Sequence, residues 1–364
     1  MAIKQFLLAL LPLVCGQQNF FDSVLNYTHH HPNSPKCAFF DMDGTITTGA
    51  LISPVFAYQV RKSKFAFTSN SVDEVFGFMT ASDECRPKGQ LPMKFGNQEI
   101  VVDFETVVLE IKNIFDAPEQ SENNARHLGG LIAVWDKFAL SYMQHQDRKS
   151  KCDYLSTTIR YRLLKGFNEQ EQKDIMKAVL NDRTPRDHDT YNYHGLDVTI
   201  RSNNPKLYEE QREVITRLAF YDVKIHVIST SAKEYLDAVI EHFELTNIPD
   251  IRAHGSKPLP RGGETVEAAV LAGRGHYNNG SGKVSTLEEV IEETNCLPVL
   301  ACGDTLGDYE MVENVIHRNG YGLFLSPRLT RENRRVVEKF QTLQAFAPRF
   351  CIQTVDPRNA IWID

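Results

Sequence analysis

Short apolar runs that end abruptly in polar residues recur along the sequence. Runs of this kind are typical of strands buried on both faces of a parallel sheet. They predict strands at 37–40, 223–228, 297–302, 321–325 and 350–354. Apolar residues at helical spacing lie among the later runs and predict helices at 204–220, 233–243, 284–291, 309–313 and 330–344. This alternation of strands and helices indicates an α/β fold with a parallel sheet.

A long and mainly helical stretch separates the first two of these runs. A parallel crossover connection needs only about a dozen residues, whereas the interval between Thr45 and Ser229 is far longer. Helical patterns fill most of this interval, at 71–79, 98–116, 123–147, 153–165 and 168–181. We therefore expect a helical domain at 48–194, inserted into a core that is formed by 17–47 and 195–364.

Length and composition fit a globular protein with more than one domain. The chain has 364 residues, of which 42% are apolar and 24% are charged. Its formal net charge is −7 and it contains no long basic run, so nucleic-acid binding is not expected. No stretch is long and apolar enough to predict a stable membrane span.

Residues 1–16 have the features of a signal peptide. One lysine precedes an apolar run, and the small residue Gly16 stands before polar residues, which predicts cleavage after Gly16 and a secreted protein. An apolar arm on a cytoplasmic protein is the alternative. Residues 17–35 are polar and rich in turn formers, so we expect a solvated linker that includes His29–His31.

The seven cysteines contain no C-x-x-C spacing, so a zinc site is not expected. Cys37 and Cys302 lie inside apolar strand patterns, and we expect both to be buried thiols. Cys85 and Cys152 are the pair that we expect to form a disulfide in a secreted protein.

Acceptor sequences for N-linked glycans begin at Asn26 and at Asn279. They predict a glycoprotein only if the chain is exported. A glycan at Asn279 would crowd the nearby Lys283.

The first apolar run ends in the sequence Asp41-Met42-Asp43-Gly44-Thr45. In an extended chain Asp41 and Asp43 share one side, and Gly44 allows a tight turn that aims backbone N–H groups inward. Two acids beside such an anion-binding turn suit a nucleophile paired with a general acid and base. The alternative is a pair of solvated aspartates in a loop.

Hydroxyl groups follow the second predicted strand. Ser229, Thr230 and Ser231 come directly after 223–228, and a hydroxyl group at a strand end can bind a phosphate oxygen. Ser229 is the better candidate and Thr230 the alternative. Hydroxyl groups at strand ends are common, so this signal is weak by itself.

A lysine and two acids complete the candidate residues. Lys283 opens a helical pattern after the glycine-rich segment 250–280, which we expect to form a hairpin or flap. The predicted strand 297–302 leads into a G-D-x-x-x-D sequence that contains Asp304 and Asp308. Two acids at this spacing across a turn can converge on one oxygen-preferring cation, which predicts a Mg²⁺ site.

These four segments, in this order, resemble the four motifs of the haloacid dehalogenase superfamily. The resemblance spans residues 37–313 and is carried mainly by D-x-D-G-T and G-D-x-x-x-D. It implies a Rossmann-like core with a cap domain inserted after the first motif, as in the branch of phosphoserine phosphatase and phosphocholine phosphatase. The implied activity is Mg²⁺-dependent hydrolysis of a small phosphomonoester through an aspartyl-phosphate.

The resemblance also implies a role for each matching residue. Asp41 would be the nucleophile and Asp43 the general acid and base. The groups implied to bind phosphate are the backbone N–H groups of Met42 to Gly44, a hydroxyl group of Ser229 or Thr230, and the ammonium group of Lys283. The groups implied to bind Mg²⁺ are the carboxylates of Asp41 and Asp304 and the carbonyl oxygen of Asp43, with Asp308 either a direct ligand or just outside the direct ligands.

Other functions can be ranked on the same residues. A dehalogenase needs no acid two residues after its nucleophile, so Asp43 argues against that activity. A phosphomutase or a phosphoserine phosphatase-like enzyme keeps both acids, and both stay open. A non-catalytic protein that binds a phosphorylated ligand is the remaining alternative. The sequence predicts no oligomeric state.

The inserted domain suggests a substrate only weakly. It is rich in aromatic residues, and segment 47–58 contains Phe56 and Tyr58 but no charged residue. Aromatic faces attract ammonium cations, quaternary ones included, so a phosphomonoester of a cationic alcohol, phosphocholine or phosphoethanolamine, is the expected substrate.

Overall fold

The computed structural model describes residues 20–79, 81–117, 122–148, 152–182, 184, 187–256, 277–327, 330 and 333–363. The predicted signal peptide, and residues 257–276 of the predicted flap, lie outside the described residues. The described chain divides into two compact units. The first unit contains 20–50, 205–256 and 277–363, and the second contains 51–204.

The strands are, in chain order, β1 (Lys36–Phe40), β2 (Gln90–Phe95), β3 (Gln98–Asp103), β4 (His188–Tyr193), β5 (Leu196–Arg201), β6 (Val223–Ala232), β7 (Ile251–Ser256), β8 (Leu297–Gly303), β9 (Tyr321–Pro327), β10 (Phe350–Asp356) and β11 (Ile361–Ile363). The α-helices are α1 (Phe20–His30), α2 (Ile52–Arg61), α3 (Val72–Val75), α4 (Phe104–Asp116), α5 (Glu122–Met143), α6 (Asp153–Thr158), α7 (Glu169–Asn181), α8 (Glu209–Phe220), α9 (Lys233–His242), α10 (Ser281–Thr294), α11 (Tyr309–His317) and α12 (Arg334–Gln341). Short 3₁₀ segments lie at Ser69–Ser71, Ile159–Leu164, Leu245–Asn247 and Thr342–Phe346. Within the described ranges, no helix is long and apolar enough to cross a bilayer.

A seven-stranded sheet forms the centre of the first unit, in the order β11-β10-β9-β8-β1-β6-β7. Neighbouring strands are parallel except for β10 and β11. The predicted α/β fold with a Rossmann-like parallel sheet is therefore confirmed. All residues of β1 are buried, and its last residue Phe40 pairs with Val227 of β6 and Cys302 of β8. Residues that follow these three strands consequently meet at one edge of the sheet.

Helices α10, α11 and α12 pack on this sheet through the apolar positions that their helical spacing predicts. Phe39, Leu287, Val312, Phe324 and Phe340 belong to one buried cluster. The rings of Phe324 and Phe340 stack with their centroids 3.9 Å apart. Burial of each large apolar side chain contributes about 1.5–3 kcal/mol, so this cluster holds the helices firmly against the strands.

The solvated linker predicted at 17–35 is wrong for most of its length, because Phe20–His30 form helix α1. The buried residues of α1 recur at helical spacing, at Phe20, Phe21, Val24 and Thr28. The ring of Phe20 lies 5.7 Å from that of Tyr321 on β9. The polar composition of this segment concealed an apolar helix face.

Each unit contains a disulfide. The prediction of a free thiol at Cys37 is wrong, because Cys37 is bonded to Cys296, with 5.8 Å between their Cα atoms. Cys37 lies on β1 and Cys296 directly precedes β8, so neighbouring strands bring them together. The predicted Cys85–Cys152 disulfide is confirmed in the second unit, with a Cα–Cα distance of 5.5 Å. Cys302 is a buried free thiol, as predicted.

The second unit combines helices α2 to α7 with the two antiparallel hairpins β2–β3 and β4–β5. Much of its core is aromatic and includes Phe76, Phe78, Phe104, Trp135 and Phe138. The indole N–H of Trp135 donates to the carbonyl oxygen of Phe76 at 2.8 Å, so this buried polar group is satisfied. These aromatic side chains pack against one another as core.

The hairpins change two boundaries that the sequence suggests. Because β3 precedes α4, the helix predicted at 98–116 begins only at Phe104. Because β5 pairs with β4, residues 195–204 belong to the second unit, and the chain re-enters the first unit at 205. It leaves the first unit after Ala50, slightly later than the expected position 47.

Candidate active site

The candidate residues converge in the first unit, at the carboxyl ends of β1, β6 and β8. Asp41 directly follows β1, and its backbone N–H donates to the carbonyl oxygen of Cys302 at 3.0 Å. The hydrogen bonding between β1 and β8 therefore continues through Asp41. The side chain of Asp41 is buried, with the residue only 4% exposed. This carboxyl group is held by the sheet and is not a solvated loop residue.

The loop after Asp41 is closed by its own backbone. The carbonyl oxygen of Met42 accepts from the N–H groups of Thr45, Ile46 and Thr47 at 3.3, 3.0 and 3.0 Å. The N–H of Gly44 donates to the carbonyl oxygen of Thr47 at 2.7 Å. Because this N–H is already hydrogen-bonded within the loop, the structure does not support the predicted contact between the Gly44 N–H and phosphate. The Met42 side chain is fully buried.

Gly44 contributes to the site through its small size. Its φ is +86°, and a Cβ atom at this position would lie 2.1 Å from Oδ2 of Asp304. Any side chain here would therefore displace Asp304. The hydroxyl of Thr45 donates to the other carboxylate oxygen, Oδ1 of Asp304, at 3.3 Å. The first loop thus both makes room for Asp304 and orients it.

Lys283 reaches the carboxylates from the first turn of α10. Its Nζ donates to Oδ1 of Asp41 at 2.6 Å and to Oδ1 of Asp308 at 2.5 Å. The lysine is only 1% exposed. A lysine is buried to this degree only when its charge is paired, and here two carboxylates share it. Lys283 therefore links α10 to the residues that follow β1 and β8.

Asp308 organises the turn after β8. Its Oδ2 accepts from the backbone N–H groups of Asp304 and Thr305 at 3.1 and 2.8 Å, and from the Thr305 hydroxyl at 2.7 Å. Its Oδ1 accepts from Lys283. Each of its oxygens is thus already engaged within the protein, and the residue fixes Asp304 and Lys283 relative to each other.

Asp43 points toward β6. Its Oδ2 accepts from the hydroxyl of Ser229 at 3.2 Å and from that of Ser231 at 2.5 Å. Both serines are buried, and the Ser229 hydroxyl also accepts from the Ser231 N–H at 3.0 Å. Thr230 lies between them and is partly exposed. The structure therefore brings Ser229 to Asp43, together with Ser231, which the sequence analysis left without a role.

Three of the predicted metal ligands form a compact group. One carboxylate oxygen each of Asp41, Asp304 and Asp308 lies within 4.8 Å of the others. The side chain of Asp43 is engaged by the serines of β6 instead. Three carboxylate oxygens in this arrangement form a donor set that suits a hard divalent cation.

The charges of this group are not balanced by the protein alone. Burial, followed by the nearby charge of Asp308, raises the pKa of Asp41 to about 8, although Lys283 opposes the shift. Burial also raises the pKa of Asp304 well above its ordinary range, and Asp308 and Asp41 raise it further. Burial lowers the pKa of Lys283, but Asp308 and Asp41 outweigh that effect and raise it. One lysine does not offset three acids, so the site fits an additional positive charge.

Asn278 holds the segment that leads into α10, and sequence patterns alone gave no sign of it. Its side-chain N–H donates to the His254 carbonyl at 2.8 Å, its Oδ1 accepts from the Thr286 hydroxyl at 2.6 Å, and its backbone N–H donates to Oγ of Ser256 at 3.0 Å. Asn278 therefore anchors the start of α10 to the end of β7. Through this anchor it fixes Lys283.

No protein-family model and no curated protein matches the sequence. Among solved structures, a conserved protein of unknown function from Anaerococcus prevotii DSM 20548 superposes with a TM-score of 0.61 at 15% identity, over 94% of this chain and 93% of that chain. A HAD family hydrolase from Salmonella enterica subsp. enterica serovar Typhi has a TM-score of 0.34 at 13% identity, over 90% of this chain and 77% of that chain. Cytosolic 5′-nucleotidase IIIB bound to cytidine has a TM-score of 0.38 at 11% identity, over 93% of this chain and 87% of that chain. The likeness to the Anaerococcus protein concerns the fold alone, and the two lower scores support no argument about function.

Proposed function

We propose that this protein is a Mg²⁺-dependent phosphomonoester hydrolase of the haloacid dehalogenase type. The observation that carries the proposal is that five residues from four distant segments meet at one edge of a parallel sheet, namely Asp41, Asp43, Ser229, Lys283 and Asp304. Each has the residue type that the motif resemblance requires at its position. The burial of Asp41 disfavours the alternative of solvated loop aspartates.

In the proposed reaction Asp41 is the nucleophile and Asp43 the general acid and base. A carboxylate oxygen of Asp41 forms a bond to phosphorus while the bond to the leaving oxygen breaks, and Asp43 gives that oxygen a proton. Asp43 then takes a proton from the water that hydrolyses the aspartyl-phosphate. The hydroxyl groups of Ser229 and Ser231 hold the carboxylate of Asp43 in place.

Lys283 and Ser229 are the proposed side-chain contacts of the phosphoryl group, and the Ser229 hydroxyl would exchange its hydrogen bond to Asp43 for one to phosphate when substrate binds, while Ser231 keeps its own. The ammonium group of Lys283 is already 2.6 Å from the nucleophile Asp41, so it is placed to offset charge on both the nucleophile and the phosphate. Asp308 keeps Lys283 in this position.

Asp41 and Asp304 would hold the Mg²⁺ ion, with the main-chain carbonyl of Asp43 as a further ligand and Asp308 beside them. When bound, the ion supplies the positive charge that allows a dianionic phosphate to approach these carboxylates. The pKa of Asp41 and that of Asp304 are raised by burial first and by the neighbouring carboxylates second, and a bound cation would offset both effects.

A phosphomonoester panel with and without Mg²⁺ tests the proposal. We expect Mg²⁺-dependent release of inorganic phosphate and, after rapid acid quenching with a ³²P-labelled substrate, label on the protein that hydroxylamine removes. Hydroxylamine cleaves acyl phosphates, so it reports an aspartyl-phosphate directly. Turnover that persists in excess EDTA, or turnover with no labelled protein under single-turnover conditions, would contradict the mechanism.

The identity of the leaving group, choline or ethanolamine, is a separate proposal. The structure removes one argument for it, namely that Phe56 and Tyr58 could face the ammonium group of the substrate. Phe56 is fully buried, and the guanidinium carbon of Arg160 lies 5.2 Å from its ring centroid. Tyr58 has the guanidinium carbon of Arg61 at 5.8 Å. These aromatic faces already have cations of the protein itself, so they give no support for a quaternary ammonium group.

We therefore propose a small phosphomonoester as the substrate class, and phosphocholine or phosphoethanolamine only because an exported enzyme would meet headgroup phosphates. Comparison of kcat/KM for phosphocholine, phosphoethanolamine and phosphoserine tests the preference. A preference for phosphoserine of about tenfold or more would favour the phosphoserine phosphatase-like alternative.

We also propose that the chain is exported and cleaved after Gly16. The disulfides Cys37–Cys296 and Cys85–Cys152 support this, because structural disulfides are rare in the reducing cytosol. N-terminal sequencing of the protein from its native source should give a start at Gln17. A start at Met1 or Ala2 would favour the cytoplasmic alternative.

A further inference from the structure

Glu110, His127 and His194 form a second cluster of metal-ligating side chains, and it lies in the second unit. Nε2 of His127 is 3.5 Å from Oε2 of Glu110, and Nε2 of His194 is 3.7 Å from Oε1 of the same carboxylate. The three residues come from α4, from α5 and from the turn between β4 and β5. The proposed phosphatase chemistry uses none of them.

His194 occupies a hairpin-turn position at which asparagine is the favoured residue. Tyr193 pairs with Leu196, so His194 and Gly195 form a two-residue hairpin turn, with φ values of 48° and 82°. Asn-Gly is strongly favoured at such turns because both residues need a positive φ. Histidine tolerates a positive φ better than most residues do, but the strongest preference at this turn position is for asparagine. A ligand role for the imidazole accounts for a histidine at the turn.

Backbone packing fixes the distance between the turn and α5. A Cβ atom on Gly129 would lie 2.3 Å from Cδ1 of Tyr191, and one on Gly130 would lie 2.3 Å from the carbonyl oxygen of Asn192. The hairpin therefore rests directly on the backbone of α5. His127 is three residues before Gly130, on the same helix face, so its position relative to the turn does not depend on the ion pairs with Glu110.

The distances within the cluster approach those of a zinc site. Ligands at about 2.0–2.2 Å from a tetrahedral ion lie roughly 3.4 Å apart, close to the two histidine–glutamate distances of 3.5 and 3.7 Å. Among the described residues, only the aspartate group of the first unit has three ligand atoms within 4.8 Å of one another. The ligand atoms of Glu110, His127 and His194 therefore do not all lie this close together. One imidazole of the second cluster must therefore rotate to share an ion. The side chains of His127 and His194 are 44% and 57% exposed, so rotation disturbs no core packing.

We propose that Glu110, His127 and His194 bind one Zn²⁺ ion, with water as the fourth ligand. Two imidazoles and one carboxylate match the ligand preference of Zn²⁺ and are a poor set for Mg²⁺. The ion cross-links α4, α5 and the β4–β5 turn. The absence of a C-x-x-C spacing does not bear on this site, because none of its ligands is a cysteine.

Calorimetric titration of the intact protein with Zn²⁺, in the presence of excess Mg²⁺ to occupy the aspartate group, tests the proposal. We expect one binding event that is weakened about tenfold or more in His127→Ala, His194→Asn and Glu110→Gln, since loss of outer-shell partners alone commonly weakens metal binding by about 10- to 100-fold. The matched control His188→Ala changes an exposed histidine on the same hairpin and should leave the binding event unchanged. His30→Ala tests the histidines at the end of α1 in the same way. Absence of Zn²⁺ binding, or binding that the three ligand variants do not weaken, would overturn the proposal.

Thermal unfolding gives a second readout that does not depend on catalysis. Without metal, His194→Asn should be at least as stable as the wild type, because asparagine suits the positive φ of the turn. With Zn²⁺ the order should reverse, because only the wild type gains stability from the ion. If Zn²⁺ raised the Tm of His194→Asn as much as that of the wild type, His194 would not be a ligand.

Discussion

At the scale of single residues, the surroundings of Asp41 oppose its ionisation. Burial and the charge of Asp308 raise its pKa to about 8 despite Lys283. In the metal-free protein the charged form of Asp41 is therefore costly, and the proposed role of Asp41 as nucleophile accounts for a carboxyl group at this buried position.

The variant Asp41→Asn separates these two effects. We expect kcat to fall below about 1% of the wild-type value, because the amide has the same shape but is a far weaker nucleophile. The free energy of unfolding without metal should be unchanged or higher, because the variant carries no buried charge at position 41. Steady-state kinetics and thermal unfolding check both points, with Asp22→Asn on the exposed side of α1 as the control. Retained activity would remove Asp41 from the role of nucleophile.

Ser231 positions Asp43 in the structure, which makes it a sharp test of the general acid and base. Its hydroxyl is 2.5 Å from Oδ2 of Asp43, so Ser231→Ala removes a contact without changing either carboxylate. We expect kcat to fall roughly 10- to 100-fold with little change in KM, since misplaced catalytic groups cost about this much. The loss should be larger for substrates with poor leaving groups, which depend most on protonation. Ser285→Ala on α10 is the control, and equal losses for good and poor leaving groups would contradict this role.

His226 makes stability depend on pH. Burial, followed by the nearby His254, Arg252 and Lys224, lowers its pKa to about 3. The folded protein therefore keeps His226 neutral between about pH 3 and pH 6.5, whereas the unfolded chain protonates it below about pH 6.5. Protons then favour the unfolded state, so the free energy of unfolding should fall with decreasing pH over this window, by up to about 1.4 kcal/mol per pH unit from this residue.

Urea unfolding at several pH values between about 4 and 7 measures this slope. We expect His226→Gln to make the pH dependence shallower, because the variant has no group to protonate, while His188→Gln at an exposed site keeps the wild-type slope. The slope is the informative quantity, since any packing defect of His226→Gln lowers stability equally at every pH. An unchanged slope would show that His226 does not control this pH dependence.

At the scale of elements, the loop after β1 depends on close approach between the backbone of Gly44 and the side chain of Asp304. A Cβ atom on Gly44 would lie 2.1 Å from Oδ2 of Asp304, whereas one on Gly49 in the same loop meets nothing within 4 Å. Both glycines have a positive φ, +86° and +67°. The two substitutions to alanine therefore share the backbone strain and differ in the contact with Asp304.

We expect Gly44→Ala to reduce activity about tenfold or more and to raise the Mg²⁺ concentration needed for half-maximal activity, because Asp304 must move. Gly49→Ala should cost about 1–2 kcal/mol of stability from the strained φ and leave the Mg²⁺ requirement unchanged. Activity measured against Mg²⁺ concentration, together with Tm, separates the two effects. Similar Mg²⁺ curves for both variants would mean that strain alone explains the loss in Gly44→Ala.

Strands β1, β6, β8, β9 and β10 could be predicted because each contains a short apolar run. Strand β7 was not predicted, because Ile251–Ser256 is mostly half-buried and lies in the segment that was expected to form a hairpin or flap. Helix α1 could not be predicted from composition, since its buried residues Phe20, Phe21, Val24 and Thr28 form a narrow face in a polar segment. The hairpin β2–β3 also escaped detection, because Gln98–Asp103 is mostly exposed and continues into a helix with similar spacing.

Parts of the site were predictable for a related reason. Asp41, Asp43 and Asp304 follow the carboxyl ends of buried strands. Parallel strands place these ends at one edge of the sheet, so the three residues could be expected to meet there. The contacts of Ser231 with Asp43 and of Asn278 with the end of β7 depend on packing between segments distant in sequence. A single sequence contains no local signal for such contacts. The spacing of Ser229 and Ser231 is an exception, because residues two apart on a strand lie on the same face.

At the scale of the whole molecule, each of the two units has a disulfide and a cluster of side chains that we propose to bind a metal ion. The first unit contains the aspartate group with a single buried lysine, Lys283, against three acids. The second contains the histidine and glutamate cluster. The chemistry of the donors differs, so Mg²⁺ and Zn²⁺ should act on different parts of the chain.

Binding of Mg²⁺ should therefore stabilise the protein as a whole through the first unit. A ligand that binds only the folded state adds RT ln(1 + [L]/Kd) to the free energy of unfolding, which is about 2.7 kcal/mol when the ion is present at about 100 times its Kd.

Asp304→Asn keeps the shape of the side chain but removes one oxygen ligand and one of the unbalanced charges. We expect this variant to fold, to have an equal or higher Tm than the wild type in EDTA, and to gain little from Mg²⁺. Asp147→Asn, at an exposed position, should show the full Mg²⁺-dependent rise in Tm. Calorimetry with and without Mg²⁺ measures these changes in Tm. An equal rise in Tm for Asp304→Asn would place the ion elsewhere, and no rise in the wild type would exclude Mg²⁺ binding.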